Sequence, residues 1–259
     1  MLYLPPDHPD ARKEPEHGGH LRADPAVDTD WPALFTERAK KVRDPRLQRF
    51  YQRGMISGDT PLHEVPLLAV DFETTGLDPR KHGIVSVGAV PFNLNRIRMR
   101  DGRYWVLKPR RILTDESIVI HGITHSDIAK APDFDDVLEQ MLETFAGHVW
   151  VVHYRGIERD FFKRTLLDRT REHIDFPVID TMQLESRLHR IDRRPWWQRW
   201  RSMSKEVSIR LADSRARYHL PHYSPHDAMT DALACAELFQ AQAAHYFDPN
   251  DPVRDLWVP

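Results

Sequence analysis

The sequence predicts an α/β fold, a mixed β-sheet flanked by helices and preceded by an N-terminal helical extension. Three observations carry this. Short apolar runs bounded by turn residues, such as Leu67–Val70 and Val149–Val152, read as buried strands. Strand candidates come first and then alternate with helices, the order of a mixed sheet rather than a purely parallel one. Val137, Leu138, Met141, Leu142 and Phe145 recur at helical spacing, the mark of an amphipathic helix.

Taken in chain order, residues 1–30 hold seven acids, three bases and five prolines with almost no apolar periodicity, the signature of a loosely attached arm. Asp30 can cap a helix that has Pro32 near its first turn. Residues 31–63 then read as a basic helical extension and linker. Within residues 31–57, Arg38, Lys40, Lys41, Arg43, Arg46, Arg49 and Arg53 stand against only Glu37 and Asp44. A solvated helical face explains these bases, and so does contact with a nucleic-acid backbone or an acidic partner. Ser57-Gly58-Asp59-Thr60-Pro61 has linker composition. Strands are expected at Leu67–Asp71, Gly83–Phe92, Tyr104–Leu107, Val149–Val152 and Pro177–Asp180. Helices are expected at Asp133–Phe145, at Gly156–Arg169 and from Met229 to about His245. Residues 64–247 are one domain on this reading, and residues 248–259 a tail.

Composition excludes several classes. The 259 residues carry 37 Lys+Arg against 39 Asp+Glu, a formal charge of -2, which argues against a binder that coats polyanions through overall positive charge. No apolar run approaches the ~20 residues of a membrane span. Met1–Asp10 lacks the basic and apolar regions of a secretory signal, and the single Cys235 permits neither an internal disulfide nor a thiolate zinc cage. A soluble cytoplasmic protein with no membrane partner is the expectation.

Three acidic stretches carry the chemistry. In Val70-Asp71-Phe72-Glu73-Thr74-Thr75-Gly76-Leu77, Asp71 and Glu73 are two apart and share one face of a strand as it leaves the sheet. Such a pair is costly to desolvate unless a cation neutralises it, and an all-oxygen set suits Mg²⁺ or Mn²⁺. In the second stretch a strand ends at His153 and a helix begins near Gly156, which places either Glu158 or Asp160 in its first turn. In the third, His226 stands at a helix entry with Asp231 five residues on. Asp227 lies on the same helical face as Asp231, so spacing does not choose between them. His219, His222 and His226 also form a run of metal-ligand types, but Pro221 and Pro225 interrupt any helix that would align their rings.

Together these stretches resemble the DEDDh (DnaQ-like) 3′–5′ exonucleases of the ribonuclease H-like superfamily. The first motif matches in full at Asp71–Leu77. The third matches at His226–Ala232 and, by the resemblance, selects Asp231. The second departs: Tyr154 replaces an Asn, and the usual Asp falls on Glu158, one methylene longer. The resemblance implies a ribonuclease H-like sheet and a two-metal hydrolysis of phosphodiesters from the 3′ end, releasing nucleoside 5′-monophosphates. It implies two divalent cations, Mg²⁺ or Mn²⁺, held by Asp71, Glu73, Glu158 and Asp231. His226 would take the proton from the attacking water. Thr74, Thr75, Gly76, Leu77 and His121 would bind the terminal nucleotide, with Leu77 wedging against the bases. The alternative is a catalytically weak or inactive exonuclease-fold module that binds nucleic acid.

The expected partner is a single-stranded DNA or RNA 3′ end, in proofreading, repair or nucleic-acid turnover. Residues 182–220 interleave ten bases, among them Arg193 and Arg194, with Trp196, Trp197 and Trp200, a pattern that suits a strand-tracking groove. Only 28 residues follow Asp231, which favours a stand-alone enzyme or one docked to a protein partner through its N-terminal extension.

Overall fold

The computed structural model describes residues 29–110, 123–189, 207–224 and 226–258. Their strands form one six-stranded sheet in the order β3-β2-β1-β4-β5-β6. Strands β1 (Leu67–Thr74), β2 (Ile84–Phe92) and β3 (Arg103–Val106) make an antiparallel meander. Strands β4 (Val149–Val152) and β5 (Val178–Asp180) continue parallel to β1, and β6 (Trp257–Val258) closes the edge antiparallel to β5. Both faces of β1 and β4 are covered, which is why these strands read as unbroken apolar runs rather than as alternation. The two-residue β6 is an addition to the sequence expectation, too short to leave a periodic signal.

The basic stretch after Asp30 becomes two helices, α1 (Trp31–Lys41) and α2 (Pro45–Gln52). Each starts alike, with an Asp carboxylate accepting a first-turn N–H and a proline beside it: Asp30 from Ala33, Asp44 from Arg46. Trp31, Phe35, Leu47, Phe50 and Tyr51 are buried in the same cluster as the sheet residues. Several bases on these helices are spent on ion pairs with the rest of the chain: Arg38 with Asp175 at 2.6 Å, and Arg49 with Glu139. The linker-like stretch is tied down too, since Thr60 and Gly58 carbonyls accept from Val253 and Arg254 N–H at 3.0 Å.

Helices α3 (His125–Lys130) and α4 (Phe134–Phe145) each open with a capping box, Thr124 with Asp127 and Asp133 with Asp136. Helix α5 (Arg155–Thr170) follows β4, and α6 (Thr181–His189) follows β5. The short α7 (Leu211–Arg217) precedes the long α8 (Ala228–Tyr246). No sequence periodicity announced α3, α6 or α7. Polar contacts hold the last of these: buried Glu185 accepts from Tyr218 Oη and Gln242 Nε2, both at 2.7 Å, and pairs with Arg217.

Helix α8 lies across β1 and β2 on an alanine-rich face that buries Ala228, Ala232 and Ala236. Its approach depends on Gly88, where a Cβ would fall 2.1 Å from the Ala228 carbonyl oxygen. Gly88 is the register partner of Asp71. The absence of a side chain there lets the start of α8 settle against β2, beside β1. Among the described residues, no helix is long and apolar enough to cross a membrane.

Candidate active site

Asp71 and Glu73 leave β1 on one face, and Asp231 reaches them from the first turn of α8. Ligand oxygens of the three carboxylates all lie within 4.8 Å of one another. The choice that spacing leaves open between Asp227 and Asp231 is made by helix capping. Asp227 is the N-cap of α8, its carboxylate accepting the Thr230 N–H at 2.8 Å. Asp231 points to the cluster and accepts the His226 backbone N–H at 2.8 Å.

Glu158 and Asp160 also separate. Glu158, in the first turn of α5, is 2% exposed, and its Oε2 has no hydrogen-bond partner. The Asp160 side chain is 53% exposed, 4.0 Å from the Arg159 guanidinium. Burial pushes the Asp71 carboxyl well above the usual carboxylate range, and Glu73, Asp231 and Asp227 push it further. Burial does the same to Glu158, reinforced chiefly by Asp71. Asp231 is raised by burial, partly offset by the His226 N–H. Acids gathered out of water with an orphaned oxygen among them are the arrangement a divalent cation relieves. The donor set, all carboxylate oxygen, fits a hard cation.

The corners that carry these acids are fixed by a further carboxylate. Buried Asp180 accepts backbone N–H groups from Tyr154 and Arg155, both at 3.1 Å, and from Met182 at 3.0 Å and Gln183 at 3.2 Å. It therefore caps α6 and also pins the start of α5. Tyr154 is held there in a left-handed conformation, φ 94°, with its side chain half exposed. His153 is locked beneath it: its Nε2 lies 3.0 Å from the Ile209 carbonyl and its Nδ1 2.8 Å from Thr181 Oγ1. Burial pushes this imidazole down to about 4, so the ring is neutral. Neither Gly88 nor His153 was assigned a role from sequence; the proximity that gives them one is tertiary.

Thr74 and Thr75 are buried and organise the turn after β1. Thr74 Oγ1 donates to the Gly76 carbonyl at 2.8 Å, and Thr75 Oγ1 accepts the Gly83 N–H at 3.0 Å. Leu77 is 80% exposed, which excludes a core role. His226 is exposed, with φ 73°, at the entry of α8. His121 lies outside the described residues, as do residues 1–28 and 190–206 with their three tryptophans. Among the described residues, the three-carboxylate group is the cluster able to hold a metal. His219, His222 and His226 do not form one.

An exonuclease family model (RNase T) matches residues 68–239, which span all three acidic motifs. The chain is 23% identical over 203 residues to the DNA polymerase III subunit epsilon of Buchnera aphidicola, covering 73% of this chain and 77% of that protein. It is 24% identical over 216 residues to the PolC-type DNA polymerase III of Mycoplasmopsis pulmonis, 82% of this chain but 13% of that much longer protein. Its fold is similar to the nuclease domain of 3′hExo, a DEDDh family member solved with rAMP. The TM-score is 0.56 at 16% identity, over 69% of this chain and 92% of that one. The chain belongs to the RNase T exonuclease family, within the DEDDh (DnaQ-like) group of ribonuclease H-like fold that its acidic motifs resemble.

Proposed function

We propose that this protein removes nucleotides one at a time from the 3′ end of single-stranded DNA or RNA, releasing nucleoside 5′-monophosphates, with two divalent cations, Mg²⁺ or Mn²⁺. The observation that carries the reading is the carboxylate group of Asp71, Glu73 and Asp231, with oxygens within 4.8 Å and the partnerless Glu158 oxygen buried beside Asp71. Asp71, Glu73 and Asp231 would hold one cation, and Asp71 with Glu158 the other. Bound there, the cations supply positive charge to the attacking and leaving oxygens of an in-line displacement.

The chain's own groups do the rest. His226 accepts the proton of the attacking water at its ring nitrogen, a task suited to an imidazole near neutral pH. The Thr74–Gly76 backbone seats the terminal nucleotide, and Leu77 separates its base from the next. Residues 64–247 serve as the catalytic domain, and the extension at 31–63 offers a surface to a protein partner. The cytoplasm is the proposed compartment.

The test uses 5′-labelled single-stranded DNA and RNA with Mg²⁺, Mn²⁺ or Zn²⁺. A descending ladder with Mg²⁺ or Mn²⁺, absent in Asp71→Ala, is the expected result. Retained binding without degradation would replace this reading with that of a binding module.

A further inference from the structure

The turn between β1 and β2 leads from the acid cluster to a basic groove. The His82 ring packs against Gly76, where a Cβ would lie 2.6 Å from it. Gly83 is bound to Thr75 in both directions, its N–H to Oγ1 at 3.0 Å and its carbonyl from the Thr75 N–H at 2.9 Å. The turn is thus braced from within, with Leu77 exposed and His82 lining the cavity beyond it. Beyond it lies a cavity of about 260 Å³. The turn, the segment after β3 with Lys108 and Arg110, and the last turns of α5 with Arg164 and Arg171 enclose it.

Several bases in this region are already neutralised. Arg169 is bound by Asp133 and Asp135, its side chain 5% exposed. Arg110 lies 3.9 and 3.7 Å from the same two carboxylates, and Arg164 pairs with Asp168 at 2.9 Å. Lys108 and Arg171 differ. Both are exposed, and among the described residues neither makes an ion pair. A base at the C-terminal end of α5 is what the helix dipole favours, which accounts for Arg171. It does not account for Lys108, which comes from another element and lines the same cavity. Two unneutralised cations around one concavity repel each other until an anion enters.

We propose that this groove holds the phosphodiester backbone of the single strand upstream of the 3′ end, with Lys108 and Arg171 as its phosphate contacts. The inference rests on the exonuclease reading. A strand whose 3′ end lies at the acid cluster and whose next base passes Leu77 meets His82 and then the groove.

The test measures binding of a fluorescent 12-nucleotide oligo-dT by anisotropy, in EDTA to prevent cleavage, across a range of salt. Lys108→Ala/Arg171→Ala in the full chain should weaken binding about tenfold. It should also reduce the slope of log K against log salt by about 1.4, two contacts at about 0.7 each. Lys108→Arg/Arg171→Lys should restore the slope. An unchanged slope in the alanine variant, or no binding by the parent chain, would overturn the groove. Hydrolysis of the p-nitrophenyl ester of thymidine 5′-monophosphate, too short to reach the groove, should stay within about twofold, as expected of surface changes away from the cluster. Its loss in the variant would also overturn the proposal. Failure of the parent chain to cleave this ester or the labelled strands, with the slope still lowered, would overturn the exonuclease reading and leave the groove standing.

Discussion

His153 shows how a residue without chemistry of its own shapes the site. Its Nε2 donates to the Ile209 carbonyl, its Nδ1 lies 2.8 Å from a Thr181 hydroxyl that itself donates to the Val152 carbonyl, and the ring stays neutral with a pKa near 4, lowered by burial. In the unfolded chain it titrates near 6.5. Below that value the unfolded state takes up a proton that the folded state refuses. Stability from His153 is therefore complete above about pH 6.5 and is lost as pH falls toward 4, by up to about 1.4 kcal/mol per pH unit. Asp71 and Glu158, raised by burial, act with the opposite sign, losing stability as pH rises. Comparison with a variant isolates the histidine. His153→Gln should show a shallower loss of urea-unfolding free energy between pH 7 and pH 5, and parallel profiles would refute the assignment. Single residues were unevenly legible in the sequence. Asp71 and Glu73 announced themselves, because a period of two puts both on one face. Spacing did not choose between Glu158 and Asp160 or between Asp231 and Asp227; the resemblance favoured Glu158 and Asp231, and the structure adds that Glu158 is buried and that Asp227 is taken up as the cap of α8.

At the scale of elements, the contact that assembles the site is the crossing of α8 over β2. Asp231 reaches Asp71 only because Gly88 leaves room for the Ala228 carbonyl. Gly88→Ala would place a methyl group 2.1 Å from that oxygen, and backbone on both sides has to shift. Overpacking of this kind costs about 1–3 kcal/mol. Nuclease activity should fall by more than the loss of folded protein explains, measured at a temperature where circular dichroism shows the variant still folded. Activity equal to the parent's would contradict the role given to this crossing. The strands and long helices could be read from the sequence because each buries a continuous apolar face. Helix α7 could not, since its anchor is Arg215, whose guanidinium donates to the Ala234 and Pro221 carbonyls and pairs with Glu237. That is a tertiary polar contact with no periodicity behind it. The break between α1 and α2 was legible in principle, because Asp44-Pro45 repeats the signal of Asp30 and Pro32.

Across the whole molecule, near-neutral charge conceals a division of labour. The chain's 39 acids and 37 bases nearly cancel, yet Asp71, Glu73 and Asp231 meet at the end of β1 with Glu158 buried near Asp71, while bases in α1 and α2 are committed to ion pairs. One core runs from Trp31 to Val258, so the N-terminal helices and the sheet share the same buried cluster. That shared core gives the carboxylates a rigid frame from β1, α5 and α8, and the proposed cations would relieve the repulsion that the frame imposes on them. Calorimetric titration of Mn²⁺ into the protein at pH 7, in two buffers of different ionisation enthalpy, tests this most directly. Saturable binding of two cations per chain is the expected result, with any proton release coming from Asp71 and Glu158, whose carboxyls burial raises, and with loss of binding in Asp71→Asn. No saturable binding, or binding unaffected by Asp71→Asn, would contradict it.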